Sequence, residues 1–216
     1  MSKAILISIK PYWVFLIIAR IMGWKIDKEK TIEVRKNFPK DQDWNRNVKI
    51  YCSRDKKSFS KIPKEYQPFM EKFLGKVIGE FVCDRIDKYK YRLTTYEETP
   101  YKGKYISKEE LAKSCLSIYE INDYLNGKNA YFWHISRLKI YDKPKDLSEF
   151  ESAFHCFNIQ NVECKTNAFG EYVFQHYKNS FCRICKYYNG DFGDCNKHAF
   201  QQLKKPPQSW CYVEEL

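Results

Sequence analysis

Lys30-Thr31-Ile32-Glu33-Val34-Arg35 alternates polar and apolar side chains directly after an unusually apolar segment. In a β-strand successive side chains take opposite faces, so Ile32 and Val34 point into a core while Thr31, Glu33 and Arg35 share the other face. Lys30 stands at the strand's entrance, where its flexible stem brings an ammonium to that same face. Arg offers a rigid fork of donors, Lys a mobile point charge and Glu an acceptor, a set able to hold a planar hydrogen-bonding ligand and neutralise a phosphate. The plainer alternative is a half-buried strand showing its solvated face, because any such strand alternates in this way.

The 216 residues suffice for one substantial core, or for a core domain with a small appendage. A hydrophobic content of 44%, with 17% aromatic residues, predicts a folded chain despite 30% charge. The net charge of +11 favours polyanions, nucleic acid ahead of an anionic membrane surface. Residues 12–24 form the most apolar run, but Arg20 interrupts it and it falls short of the ~20 residues of a membrane span, so no membrane protein is expected. Residues 1–12 lack the pattern of a signal peptide. A cytoplasmic location follows as an expectation, with the nine cysteines reduced and some of them metal ligands.

Upstream of the central stretch, residues 4–9 read as a buried strand and residues 11–22 as a helix opened by Pro11 and stopped by Gly23. Downstream, residues 48–52 read as a strand, 53–68 as a basic loop and 76–83 as a strand. Within the last of these Gly79 predicts a bulge or a close backbone approach, and Glu80 is either a second carboxylate at the cleft or an exposed strand residue. Residues 85–92 interleave basic and aromatic side chains. Arg85, Lys88, Lys90 and Arg92 there either follow a nucleic-acid backbone beside stacking tyrosines, or protect the edge of a sheet. Ser107 with Glu110 and Ser117 with Glu120 have capping-box spacing, which predicts two short helices ending near Gly127. Residues 130–141 read as a strand bending at Ser136 and Arg137, with Trp133 and His134 on opposite faces. His134 is either an interior histidine or a site residue. Strands interrupted by helices without regular alternation predict an α+β fold, a mixed and partly open barrel.

Residues 150–200 are polar, aromatic and cysteine-rich. Cys182 and Cys185 have the two-residue gap that lets both sulfurs reach one ion, and Cys195 with Cys211 completes a set of four thiolates for a structural Zn²⁺. His198 competes with Cys211 as fourth ligand, and unligated thiols in an aromatic cluster are the other reading. A complete shell leaves no open position for water, so no catalytic metal is expected.

The opening Ile-Leu-Ile-Ser-Ile-Lys-Pro, the Lys30, Glu33 and Arg35 spacing and the Lys76-Val-Ile-Gly-Glu-Phe stretch together resemble the ASCH domain of the PUA-like superfamily, whose motif is Gly-x-Lys-x-x-Glu-x-Arg. Lys28 stands where that motif has Gly. Residues 133–145 and 206–216 look like its bacteriophage and prophage members. The resemblance implies a PUA-like mixed β-barrel with flanking helices over residues 1–147, a small cysteine-rich insertion over 148–204, and a C-terminal segment, 205–216, returning to the barrel. It also implies a cleft for RNA or a modified nucleobase beside Lys30, Glu33 and Arg35, with Ser8, Lys10, Glu80, Trp133 and His134 completing the expected ligand-binding set.

Some similar proteins hydrolyse acylated cytidine with a Lys, a Thr and a Glu. Lys30 and Glu80 fit two of those roles, while Glu33 stands in place of the Thr, which counts against the same hydrolysis. A nucleic-acid-binding module is therefore the leading expectation. A small hydrolase or ribonuclease using Lys30 with Glu33 or Glu80 is the first rival, and a phage accessory protein that binds a host protein through its cysteine-rich end is the second.

Overall fold

A computed structural model describes residues 4–39, 46–90, 106–153, 165–166, 172–173 and 200–215. Arg92, Cys182, Cys185, Cys195 and His198 lie outside the described residues. In chain order the strands are β1 (Ala4–Ile9), β2 (Ile32–Arg35), β3 (Asn47–Cys52), β4 (Val77–Val82), β5 (Ile86–Tyr89), β6 (Ala130–His134), β7 (Ser136–Lys145) and β8 (Phe150–Ala153). They continue with β9 (Lys165–Thr166), β10 (Tyr172–Val173), β11 (Phe200–Gln202) and β12 (Trp210–Glu215). The helices are α1 (Pro11–Ile18), α2 (Lys56–Phe59), α3 (Gln67–Glu71), α4 (Lys108–Ser114) and α5 (Ile118–Leu125). The class is mixed α+β, and no helix among the described residues is long and apolar enough to cross a membrane.

β1 lies inside a seven-stranded sheet of order β11-β8-β12-β1-β3-β4-β7, parallel to β3 and antiparallel to β12. A second sheet has the order β2-β6-β5, and β9 pairs with β10. Only residues 146–149 separate β7 from β8, although the two strands flank opposite sides of the large sheet. So short a link forces the sheet to curl. The ammonium of Lys49 accordingly sits 5.8 Å from the ring of Tyr141 on β7 and 5.6 Å from that of Phe150 on β8. The concave interior holds Ala4, Leu6, Tyr51, Val77, Phe150 and Val213. β7 and β8 do not pair among the described residues, so the expected barrel takes the form of an open, curled sheet.

The opposite face of the large sheet carries Ile5, Ile7, Ile9, Ile50 and Phe81, which pack on α1 and on Tyr131 and Trp133 of the small sheet. The far side of the small sheet, with Ile32, Val34, Tyr89 and Phe132, is covered by Ile121 and Leu125 of α5. The small sheet is therefore sandwiched, and all four residues of β2 are buried.

Several local expectations are met in detail. Both capping boxes are present, each serine accepting from the backbone N–H of its glutamate and each glutamate returning to the serine N–H. β6 and β7 part at Ile135, one residue ahead of the bend expected at Ser136 and Arg137, and Arg137 inside β7 takes a φ of 46°. At Gly79 a β-carbon would lie 2.3 Å from the Lys139 carbonyl oxygen on β7, the close approach that the glycine predicts.

Two expectations need correction. The helix expected over 11–22 ends at Ile18 and continues as turns to Gly23 at φ 65°. The stretch 53–68, expected as loop, contains α2 and the start of α3. Asp55 caps α2 through Ser58 N–H at 2.7 Å, and the rings of Tyr66 and Phe69 pack against Trp24 at 4.9 and 5.2 Å. Apart from the local Asp55 cap, these short helices rest on partners distant in sequence, Tyr12 N–H on Ser58 Oγ and Trp24 on Phe69, which the local pattern of residues does not announce.

Candidate functional site

The β2 residues and the turn before them build a buried ionic cluster at the seam between the sheets. Lys30 donates through Nζ to the carbonyls of Ile32 and Ser114, each at 2.8 Å, and lies 3.4 Å from Glu33 Oε2. Trp13 of α1 covers the ammonium, with its ring centroid 5.3 Å away. Burial holds the Lys30 pKa below the ordinary lysine value, and Glu33 opposes that shift.

The other Glu33 oxygen, Oε1, lies 3.1 Å from Arg35 Nε, an ion contact whose angle falls short of a hydrogen bond. Arg35 donates through its terminal nitrogens to the Ser8 carbonyl at 2.7 Å and the Ser209 carbonyl at 3.4 Å. Lys30, Glu33 and Arg35 are only 2%, 7% and 6% exposed. Two cations against one carboxylate make the trio net positive. Thr31 Oγ1 is also buried and has no hydrogen-bond partner among the described residues.

The cluster's surroundings come from far along the chain and carried no signal in the sequence: Trp13, Ser114, Tyr124 and Ser209. Tyr124 is 41% exposed, and its phenol lies within the electrostatic reach of both Arg35 and Glu33. The Lys36 ammonium sits 4.7 Å from the Tyr124 ring centroid. Beyond Ser114, Cys115 lines an open groove of about 800 Å³ between residues 27–29 and the α4–α5 corner. Lys28 and Lys113 line it together with Asp27, Glu29, Glu109 and Glu120, an acidic majority unsuited to a polyanion.

Other residues expected at the cleft are dispersed. Ser8 reaches the cluster through its carbonyl, but Lys10 is exposed and pairs with Asp55 at 3.4 Å. Glu80 projects to the concave side of the large sheet, where it meets Lys49 at 3.2 Å and accepts from the Tyr141 hydroxyl at 3.1 Å. The sheet itself separates it from Lys30. Lys49 keeps the Glu80 carboxyl below its usual range against the opposing pull of desolvation. Trp133 is fully buried in the central core, paired across the strands with Glu33.

His134 pairs with Ile32, on the other face of the small sheet, and contacts Asp87 and Arg85. β5 flanks the small sheet, with Arg85 held by Asp87 at 2.9 Å and Lys88 and Lys90 exposed. Tyr89 is buried and donates to Glu110, so it offers no face for base stacking. Cys211 packs beside the concave apolar cluster, and burial pushes its thiol up to about 12.

No protein-family model matches the sequence, and no curated protein matches it. Among solved structures, the chain is similar to the ASCH protein of Zymomonas mobilis, at 17% identity and a TM-score of 0.39 over 67% of this chain and 73% of that one. A tyrosine-to-phenylalanine variant of the same protein gives 16% identity and a TM-score of 0.40 over 67% and 76%. A serine-to-alanine variant gives 17% and 0.39 over 66% and 73%.

Proposed function

We propose that this chain is a nucleic-acid-binding module of the ASCH type, which takes RNA or a modified nucleobase at the Lys30, Glu33 and Arg35 cluster. The observation that carries the reading is the buried net positive charge of that cluster. One carboxylate and four backbone carbonyls partner the two cations only in part, and a phosphate or a carbonyl-rich base edge supplies the remaining counter-charge. The longest contact of Arg35, 3.4 Å to Ser209, is the one a ligand oxygen replaces most cheaply. Lys36 beside Tyr124, and the exposed Lys204 and Lys205 shortly before Ser209, continue the cationic surface outward. The phage or prophage setting rests on the resemblance of residues 133–145 and 206–216. For a structural zinc in the cysteine-rich segment, the apolar setting of Cys211 favours His198 as fourth ligand beside Cys182, Cys185 and Cys195.

Titration of a labelled single-stranded RNA at rising salt tests the binding. Wild-type affinity falls steeply with salt. Arg35→Met keeps the buried Lys30 and Glu33 pair neutral and weakens binding 10- to 100-fold, from roughly 1.5–3 kcal/mol per charged hydrogen bond lost. Lys10→Ala changes it little. Equal losses from the two substitutions would refute a defined site.

A hydrolase reading has one observation in its favour, the depressed pKa of Lys30, which eases access to a neutral amine. The acceptors around Nζ hold the ammonium form instead. Turnover of acylated nucleosides, lost in Lys30→Met, is the result that makes it the better reading.

A further inference from the structure

We infer that Asp87, Glu110 and His134 form a binding site for one divalent transition-metal cation. The three come from separate elements: Asp87 from β5, His134 from the end of β6 and Glu110 from the first turn of α4. One ligand atom from each lies within 4.8 Å of the others. The site is sheltered rather than a surface accident, since the side chains of His134 and Asp87 are 17% and 11% exposed.

His134 and Asp87 turn an imidazole nitrogen and a carboxylate oxygen toward one shared cation, Arg85. Its Nε2 lies 2.8 Å from Asp87 Oδ2, 3.2 Å from Arg85 Nε and 3.0 Å from an Arg85 terminal nitrogen. A protonated Nε2 satisfies Asp87 but turns its hydrogen toward the donors of Arg85. A bare Nε2 accepts from Arg85 but meets an Asp87 lone pair at 2.8 Å. Asp87 Oδ2 also contacts Arg85 Nε, at 2.9 Å. Imidazole nitrogen and carboxylate oxygen thus converge on one guanidinium, carried by a side chain that is 61% exposed.

A small dication satisfies both lone pairs at once. Metal–ligand distances of about 2.0–2.2 Å place neighbouring donors roughly 3 Å apart, which the 2.8 Å between His134 Nε2 and Asp87 Oδ2 already approaches, while the Glu110 oxygen, within 4.8 Å of both, closes in as the ion binds. Glu110 supplies the third donor through Oε1, which now accepts from the Tyr89 hydroxyl. Its other oxygen is anchored by the Ser107 N–H and hydroxyl, each at 2.9 Å, so the carboxylate is oriented in advance by the cap of α4. One nitrogen and two carboxylate oxygens suit Mn²⁺, Co²⁺ or Zn²⁺ and offer nothing to a thiophilic ion.

The test uses the full chain, stripped of metal and titrated with Mn²⁺, the free ion being followed by electron paramagnetic resonance. Mn²⁺ has little affinity for thiolates, so the cysteine-rich segment does not interfere. The expected result is one saturable site per chain, weakened at least ~10-fold by Asp87→Asn and by His134→Gln. Arg85→Gln, at an exposed side chain, removes the competing cation and leaves the affinity equal or tighter. Thermal melts establish that each variant is folded. Absence of saturable binding in both the wild type and Arg85→Gln overturns the site, as does affinity unchanged in folded Asp87→Asn and His134→Gln.

Discussion

Replacing Glu33 with glutamine lowers stability by about 3–5 kcal/mol at neutral pH, because it leaves Lys30 and Arg35 as uncompensated charges in a buried seam. The cost depends on pH in a defined direction. Burial already places the Lys30 pKa below the ordinary lysine value, and Glu33 is the main group that raises it. Without Glu33 it falls further, so the unfolded chain binds the Lys30 proton more tightly than the folded one. Stability of the variant then rises with pH from the folded pKa up toward the unfolded value, and the gap to wild type narrows. Urea denaturation at pH 7 and at pH 9.5 measures both. A gap that widens at the higher pH contradicts the assignment of Lys30 as the strained cation. Replacing all three residues by apolar side chains of similar volume is neutral or stabilising, which would show that the charges are kept for a ligand rather than for the fold.

Gly79→Ala is the second large effect, and it acts through shape alone. The added methyl lies 2.3 Å from the Lys139 carbonyl oxygen and 3.0 Å from Ile140 Cα, both backbone atoms that no rotamer change can move. β4 and β7 must separate, which breaks the ladder on which the curl of the large sheet depends. The cost is roughly 3 kcal/mol, which at about 2–4 °C per kcal/mol lowers the melting temperature by roughly 10 °C. An alanine variant that melts within 2 °C of wild type would mean that the strands do not approach as described. The two predictions separate cleanly, because only the Glu33 variant recovers with rising pH.

Much of the local structure was legible. Two serines, each three residues ahead of a glutamate, gave the caps of α4 and α5, since the capping hydrogen bonds lie within a single turn. Gly79 foretold a close approach, and the bend expected at residues 136–137 lies one residue past the actual break between β6 and β7 at Ile135. Less legible were α2, tied to α1 by the Tyr12 N–H donating to Ser58 Oγ, and α3 with the turn before it, where Tyr66 and Phe69 pack on Trp24. The Glu80 carboxylate was also misplaced. Strand parity tells which residues share a face, but not which side of a curled sheet that face becomes.

The sequence by itself determined that residues 32–35 form a strand, that Ile32 and Val34 share one side of it and that Glu33 and Arg35 share the other. Alternation is a property of the extended backbone and needs no partner. Only the tertiary structure decided that the polar side is not solvated. The small sheet lies between α4 and α5 on one flank and α1 with the large sheet on the other, so the charges of β2 are enclosed, neutralised in part by one another and capped by carbonyls from residues 8, 114 and 209. Enclosure depends on contacts spanning up to 174 positions of the chain, which no local pattern encodes.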